Sequence, residues 1–356
     1  MYATQIILEQ NRIRWNRDFV LVLCFIAQFI GSRWRPRIGV SQFSDCALAL
    51  TAAHSDTQKV AHARQGPYAD KAMRKKVPTP PAVDLTDENV HWDFSKTMSY
   101  ADYLQLPLLL SAQKPLTDRH DEMLFITIHQ ASELWIKLCL HEIGAAIAAI
   151  AADDLGAAFK MMARTARIQV NLIQSWEILS TMTPFDYAGF RDSLGKSSGF
   201  QSFQYRMLEF KLGNKNREAT RVFAASPEIA AAVNAALNAP SIYDEALRLL
   251  ARRGFAVPPE KLSRDFSQSY GADARVTQVW REVYRDVETH WDMYELAEKL
   301  VDLEYRFHLW RFSHMKTVER IIGHKPGTGG TSGVPYLKKA LDLTFYPELW
   351  AVRTEI

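Results

Sequence analysis

From about residue 99 onward, apolar positions recur at steps of three and four, and alternating strand-like runs are nearly absent. The clearest register runs through Leu296, Leu300, Leu303, Phe307, Trp310, Val318 and Ile321, which share one face of a helix expected over Trp291 to Ile322. His314 falls on that stripe, one turn beyond Trp310, so its imidazole points inward and needs a buried partner. Gly323 stops the helix. His324-Lys325-Pro326 then leads into Gly327-Thr328-Gly329-Gly330-Thr331-Ser332-Gly333, a loop with little side-chain bulk and many free backbone N–H groups. Such a loop can close over a polar group that approaches the buried histidine.

The same periodicity places the other elements. Thr117-Asp118 is expected to cap a helix from about His120 to Ile150, with Asp121 and Glu122 in the first turn, where the helix dipole favours acids. A second helix, Leu155 to Ser180, carries Phe159, Met162, Leu172, Trp176 and Leu179, and Pro184 cannot continue it. A loop from Pro184 to Gly199 holds Phe185, Tyr187, Arg191, Lys196 and Ser198. A helix from about Gln201 to Leu212 ends at Gly213-Asn214, a left-handed stop. Ser226-Pro227 and Ser241 open two small helices that read as a hairpin insertion over 226–254, followed by a helix from Arg275 to His290. The expected fold is all-α: a helical bundle with a small helical-hairpin insertion.

Composition changes this picture mainly at the N-terminus. The 356 residues are 47% hydrophobic and 23% charged, which describes a soluble globular protein with ample length for a core. Residues 1–76 carry twelve Lys/Arg against five Asp/Glu, a net of +7 that leaves the remainder at −4. The body is mildly acidic, so nothing in it suggests a nucleic-acid surface. Phe19 to Ile30 is an apolar run of twelve residues, short of the ~20 that span a bilayer, and no small-x-small cleavage site follows it. We expect residues 1–80 to be a basic, loosely ordered extension and linker, with the helical domain at 81–356 and no membrane partner. Cys24, Cys46 and Cys139 lack metal or redox spacing, which points to a reducing compartment.

Candidate chemistry centres on histidines. Phe125 and His129 lie four apart on one helix face, and His129 shares its side with Ser132 and Ile136. Either histidine alone reads as a hydrogen-bonded core residue; two interior histidines on two long helices suggest a prosthetic group between them. Zinc is disfavoured by the lack of His-Glu-x-x-His, of paired cysteines and of a second histidine at i+3 or i+4. Heme fits better, because it needs one proximal imidazole, an apolar slot and a distal helix. A nucleotide reading of the glycine loop fails: it follows a helix, lacks Gly-x-Gly-x-x-Gly register and has no Gly-Lys-Ser/Thr. Its hydroxyls and amides suit a small ligand with amine and carboxylate groups. Arg191, four residues after Tyr187, is either a surface ion-pair partner or a planar carboxylate clamp.

Four motifs then carry a resemblance: Tyr100-Ala-Asp-Tyr103-Leu-Gln-Leu, Asp121-Glu-Met-Leu-Phe-Ile-Thr-Ile-His129-Gln, Phe185-Asp-Tyr187-Ala-Gly-Phe-Arg191 and Gly327-Thr-Gly-Gly-Thr-Ser-Gly333. Together, in order, they closely resemble the bacterial tryptophan 2,3-dioxygenases from about Tyr100 to Arg353. The resemblance implies an all-α, cytoplasmic, homotetrameric enzyme holding one heme b per subunit, ferrous when active. It implies that L-tryptophan and O₂ give N-formyl-L-kynurenine, the first step of the kynurenine pathway. By the same likeness His314 is the axial ligand to heme iron and Ser198 lies near the propionates. His129 is the distal histidine that hydrogen-bonds the indole N–H, and Phe125 packs on the ring. Arg191 clamps the carboxylate with Tyr187 alongside, Thr328 meets the amino-acid end, and Tyr100 and Tyr103 come from a neighbouring subunit. The competing expectation is a non-enzymatic heme-binding sensor, which would have no reason to gather Arg191, Tyr187 and Thr328.

Overall fold

Thirteen α-helices and three short 3₁₀ turns make up residues 83–356, the part of the chain that the computed structural model describes. The apolar run at 19–30 and the basic linker lie outside the described residues, as does the whole of the expected 1–80 extension. Two five-residue helices come first, α1 (Tyr100–Leu104) and α2 (Leu106–Leu110). Then follow α3 (His120–Ala151), α4 (Leu155–Leu179), the one-turn α5 (Pro184–Ala188) and α6 (Phe203–Leu212). Next are α7 (Pro227–Asn238), α8 (Ile242–Arg252), the short α9 (Pro259–Leu262) and α10 (Ala274–Arg285). The chain ends with α11 (Trp291–Ile322), α12 (Val334–Leu341) and α13 (Pro347–Val352). No strand occurs among the described residues, so the all-α expectation holds.

The core is a layer of long helices. α4 packs along both α3 and α11, and α6 and α8 lie against α3. On α11 the expected stripe is realised: Leu296, Leu300 and Leu303 are fully buried, with Phe307, Trp310 and Ile321 nearly so. By length and composition α3 could pass for a membrane span, yet Ile136, Cys139, Ile143, Ala146 and Ile150 are packed into the core. Of the two helices after Ser226, α7 closes a small cluster of its own with Phe210, Phe223, Val233 and Leu237. By contrast, α8 places Ile242, Tyr243, Leu247 and Leu250 in the main core.

Local chemistry departs from the expectation at three boundaries. Thr117 does not cap α3; Arg119 is the N-cap residue and makes no side-chain cap bond, because Thr117 turns its hydroxyl to the Glu122 carboxylate. Pro184 ends α4's reach but also begins α5, where Thr183 and Asp186 form a capping box and proline takes the first turn. The expected loop over 184–199 is therefore largely α5 and 3₁₀ turns at Arg191–Leu194 and Gly199–Gln201. Finally, α10 stops at Arg285, since Asp286 leaves helical geometry and its side chain accepts from Thr289 N at 3.2 Å.

Candidate active site

Where α3, α4, α6 and α11 converge they leave a cavity of about 710 Å³, within the ~300–1,000 Å³ range of small-ligand sites. Phe125 and His129 of α3, Trp176 of α4, Tyr205 of α6, and Trp310 and His314 of α11 line it. The rings touch in sequence. Phe125 and His129 have centroids 4.2 Å apart, His129 meets Trp176 edge-on at 6.4 Å, and Trp176 stacks on His314 at 4.4 Å. Tyr187 and Phe190 pack against Phe125 at 5.9 and 5.5 Å. Both histidines thus face one aromatic-walled space.

Their protonation follows from their surroundings. Burial lowers the His314 pKa to about 4, with His129 nearby adding to the shift, so the ring is neutral at physiological pH. Burial and His129 are the influences on the His314 ring, with no hydrogen bond to it among the described residues, and the ring lines the cavity, so it offers a lone pair there. Burial also lowers the pKa of His129, opposed by its bond to Phe125 and by Glu133. The His129 Nδ1 atom lies 2.7 Å from the Phe125 carbonyl. A carbonyl can only accept, so Nδ1 carries the proton and Nε2 is left as an acceptor.

A second, charged group flanks the aromatic one. Arg206, Glu209 and Arg311 are each at most 4% exposed. Arg206 pairs with one Glu209 oxygen, while Arg311 Nη2 reaches the other at 2.6 Å, joined there by the Tyr205 hydroxyl at 2.8 Å. Two arginines share one carboxylate, which leaves a positive charge in excess beside the cavity. The Nε atoms of Arg206, Trp176 and Trp310 are buried donors without a partner among the described residues. Buried charge and unsatisfied donors are costly unless something completes them. Among the described residues, no cluster of three or more His, Cys, Asp or Glu is arranged to hold a bare metal ion. A prosthetic group that brings its own metal to the His314 lone pair, and acidic substituents to the orphaned donors, fits what these side chains offer.

The glycine loop closes the cavity's other side. Thr328 Oγ1 donates to Ser197 O at 2.5 Å, and Arg191 Nη2 donates to Pro326 O at 2.7 Å. A Cβ on Gly329 would lie 2.6 Å from the Ser198 Cβ, and one on Gly333, where φ is +70°, would lie 2.6 Å from Lys325 O. Glycine is therefore required at both for the loop to lie this close. Of the residues singled out from sequence, Phe125, His129, Tyr187, Ser198, His314 and Thr328 line the cavity. Arg191 is not among the residues that line the cavity but lies beside Tyr187, which does and whose phenol pKa is raised by burial against the pull of the guanidinium. Tyr100 and Tyr103 are not part of this cavity; each is about three-quarters exposed on the segment before α3. Sequence reasoning missed Trp176 as a partner of His314 and the Arg206–Glu209–Arg311 group. The i,i+3 spacing of Arg206 and Glu209 was the one available signal for the latter.

Fold and site together define an all-helical protein built round a deep aromatic pocket that brings two neutral histidines to one ligand space. A family model described as tryptophan 2,3-dioxygenase matches residues 86–239 and 280–356. The tryptophan 2,3-dioxygenase of a Polaromonas species is 58% identical over 278 residues, 78% of this chain and 95% of that protein. Those of Bacillus cereus and Exiguobacterium sibiricum are 56% and 57% identical, each over 76% of this chain and 98% and 97% of their own lengths. The chain belongs to the tryptophan 2,3-dioxygenase family.

Proposed function

We propose that this chain is a heme-dependent dioxygenase that inserts O₂ across C2–C3 of the indole ring of L-tryptophan, giving N-formyl-L-kynurenine. One observation carries the reading: a neutral, unpartnered His314 and a His129 with a free acceptor nitrogen share one aromatic cavity. His314 would hold the heme iron. The donors of Trp310 and Arg206, with Ser198, would receive the propionates, which relieves their lack of partners. Heme b, one per subunit and ferrous, supplies the dioxygen-activating chemistry when bound.

The side chains then have one task, to hold the indole ring in register. His129 Nε2 accepts the indole N–H and Phe125 packs on the ring, while Tyr187 closes the wall behind it. Arg191 takes the substrate carboxylate and Thr328 the amino-acid end. Their present partners, the Pro326 and Ser197 carbonyls, belong to the loops that would fold over the bound amino acid. Glycine-loop closure excludes water from the reacting atoms. The exposed aromatic segment before α3 supports assembly as a homotetramer in which Tyr100 and Tyr103 complete a neighbour's pocket. The compartment we infer is the cytoplasm, where the buried free thiol of Cys139 would stay reduced.

The test is an anaerobic absorption spectrum of heme-loaded, reduced protein, followed by L-tryptophan and then air. We expect a Soret band that shifts with tryptophan, then growth of formylkynurenine absorbance. Heme uptake without product would overturn the enzymatic reading, and no heme uptake would overturn the cofactor.

A further inference from the structure

The segment that leads into α3 is built unlike the rest of the molecule. No residue between His91 and His120 is buried, and Trp92, Tyr100, Tyr103, Leu108 and Leu116 each leave at least 70% of their surface open. Helices α1 and α2 have five residues each, too short to be stable alone. Their local shape comes from the Ser99–Asp102 capping box and from Gln105, which turns the chain at φ +52°. Nothing in that geometry sets where the segment points relative to the body.

Two side chains of α3 do set it. Glu122 is 1% exposed, and its carboxylate accepts from Leu116 N at 2.7 Å, Thr117 N at 2.8 Å and the Thr117 hydroxyl at 2.5 Å. Burial works to raise its pKa, but those hydrogen bonds together hold it below the ordinary glutamate range, so the anchor is charged. Two turns on, Gln130 donates from Nε2 to Ala112 O at 3.0 Å and accepts from Gln113. Both anchors sit on the helix that carries Phe125 and His129, so the arm is aimed from the same rigid rod that sets the pocket.

We propose that Glu122 and Gln130 are positioning residues that aim the 91–119 arm, so that Tyr100 and Tyr103 reach the pocket of a second copy of this chain. The proposal rests on the function given above. It assigns the arm's direction to a charged anchor and an amide, since no residue of the arm is fully buried within its own protomer. In Glu122→Gln one acceptor oxygen becomes an NH₂ group, so whichever way the amide turns, either the Leu116 or the Thr117 N–H faces a donor and the charge is gone, while shape is kept.

Mixed assembly tests this. Glu122→Gln chains (arm lost, pocket intact) are co-expressed under separate tags with Arg191→Ala chains (arm intact, pocket damaged), and hybrids are isolated. Alone, Glu122→Gln should keep its Soret band and raise KM for L-tryptophan roughly five- to tenfold with kcat within about twofold. In hybrids, the intact arm serves the intact pocket, so parent-like KM should return in roughly half of the sites. A hybrid no better than Glu122→Gln alone would show that Glu122 acts on its own pocket and would overturn the proposal, as would parent kinetics in the single variant. If Glu122→Gln does not fold, Gln130→Ala takes its place with the same outcomes. A parent chain that forms no product defeats the functional reading. The anchor is then read from protease cleavage between Leu104 and Leu116, which should be faster in Glu122→Gln and which overturns the proposal if unchanged.

Discussion

The helix-borne and loop-borne halves of the pocket are held by different physics. Phe125, His129, Trp176 and His314 ride on helices of 25 and 32 residues whose registers are set by many buried contacts. To move one of them, a whole packed rod must move. Arg191, Ser198 and Thr328 sit on short turns and a glycine loop, held by single hydrogen bonds and by the close approach of Gly329 to Ser198. Those contacts can open at little cost to the core. The difference assigns cofactor and ring placement to the rigid half, and admission and capture of the substrate's polar end to the adjustable half.

His314→Ala should have the largest effect because it removes the side chain proposed to hold the heme iron. We expect no Soret band after reconstitution and no product, with stability changed by no more than about 1 kcal/mol, since the ring already faces open space. A retained Soret band and turnover would show that the helix-borne half is not the cofactor half.

Arg191→Ala strikes the loop-borne half twice, at the proposed substrate carboxylate and at the Pro326 carbonyl. The loss in kcat/KM should be ~2–5 kcal/mol with the heme spectrum intact, as for truncation of one partner of a buried charged pair. An unchanged KM would remove Arg191 from the site. Gly329→Ala should cost less, about tenfold in kcat/KM, because its Cβ must push Ser198 away before the loop can close. Faster protease cleavage between Lys325 and Gly333 with an unchanged Tm would separate a closure defect from a folding defect. Parent-like behaviour would mean that this contact does not set closure.

The same division explains what could be read from the chain in advance. Leu296, Leu300, Leu303 and Phe307 announce α11 because a buried helix face has a period, and His314 inherits its inward direction from that register. Loops have no period. Arg191 and Thr328 therefore entered mainly through family resemblance, and their partners Pro326 and Ser197 did not enter at all. Thr117 was misjudged as a cap because local pattern cannot reveal that Glu122 outcompetes the helix terminus for its hydroxyl. Arg311 joins Arg206 and Glu209 only after α11 and α6 have packed, so the i,i+3 spacing of the latter two holds no trace of the third member.

His129→Ala should cost about as much as Gly329→Ala and sharpens the comparison most, since it tests whether the rigid half orients or also reacts. The Phe125 carbonyl that loses the Nδ1–H donor remains a helical i−4 acceptor, so truncation leaves no buried orphan on the backbone. What disappears is the Nε2 acceptor, worth about 1–2 kcal/mol if it only holds an indole N–H, roughly five- to thirtyfold in kcat/KM. An L-tryptophan methylated at the indole nitrogen lacks that proton and should lose a similar factor on the parent enzyme. On His129→Ala the methylated substrate should lose little more, because each change removes the same hydrogen bond. Additive losses would mean that His129 acts elsewhere in the reaction, and loss of heme from the variant would mean that the two histidines have exchanged faces.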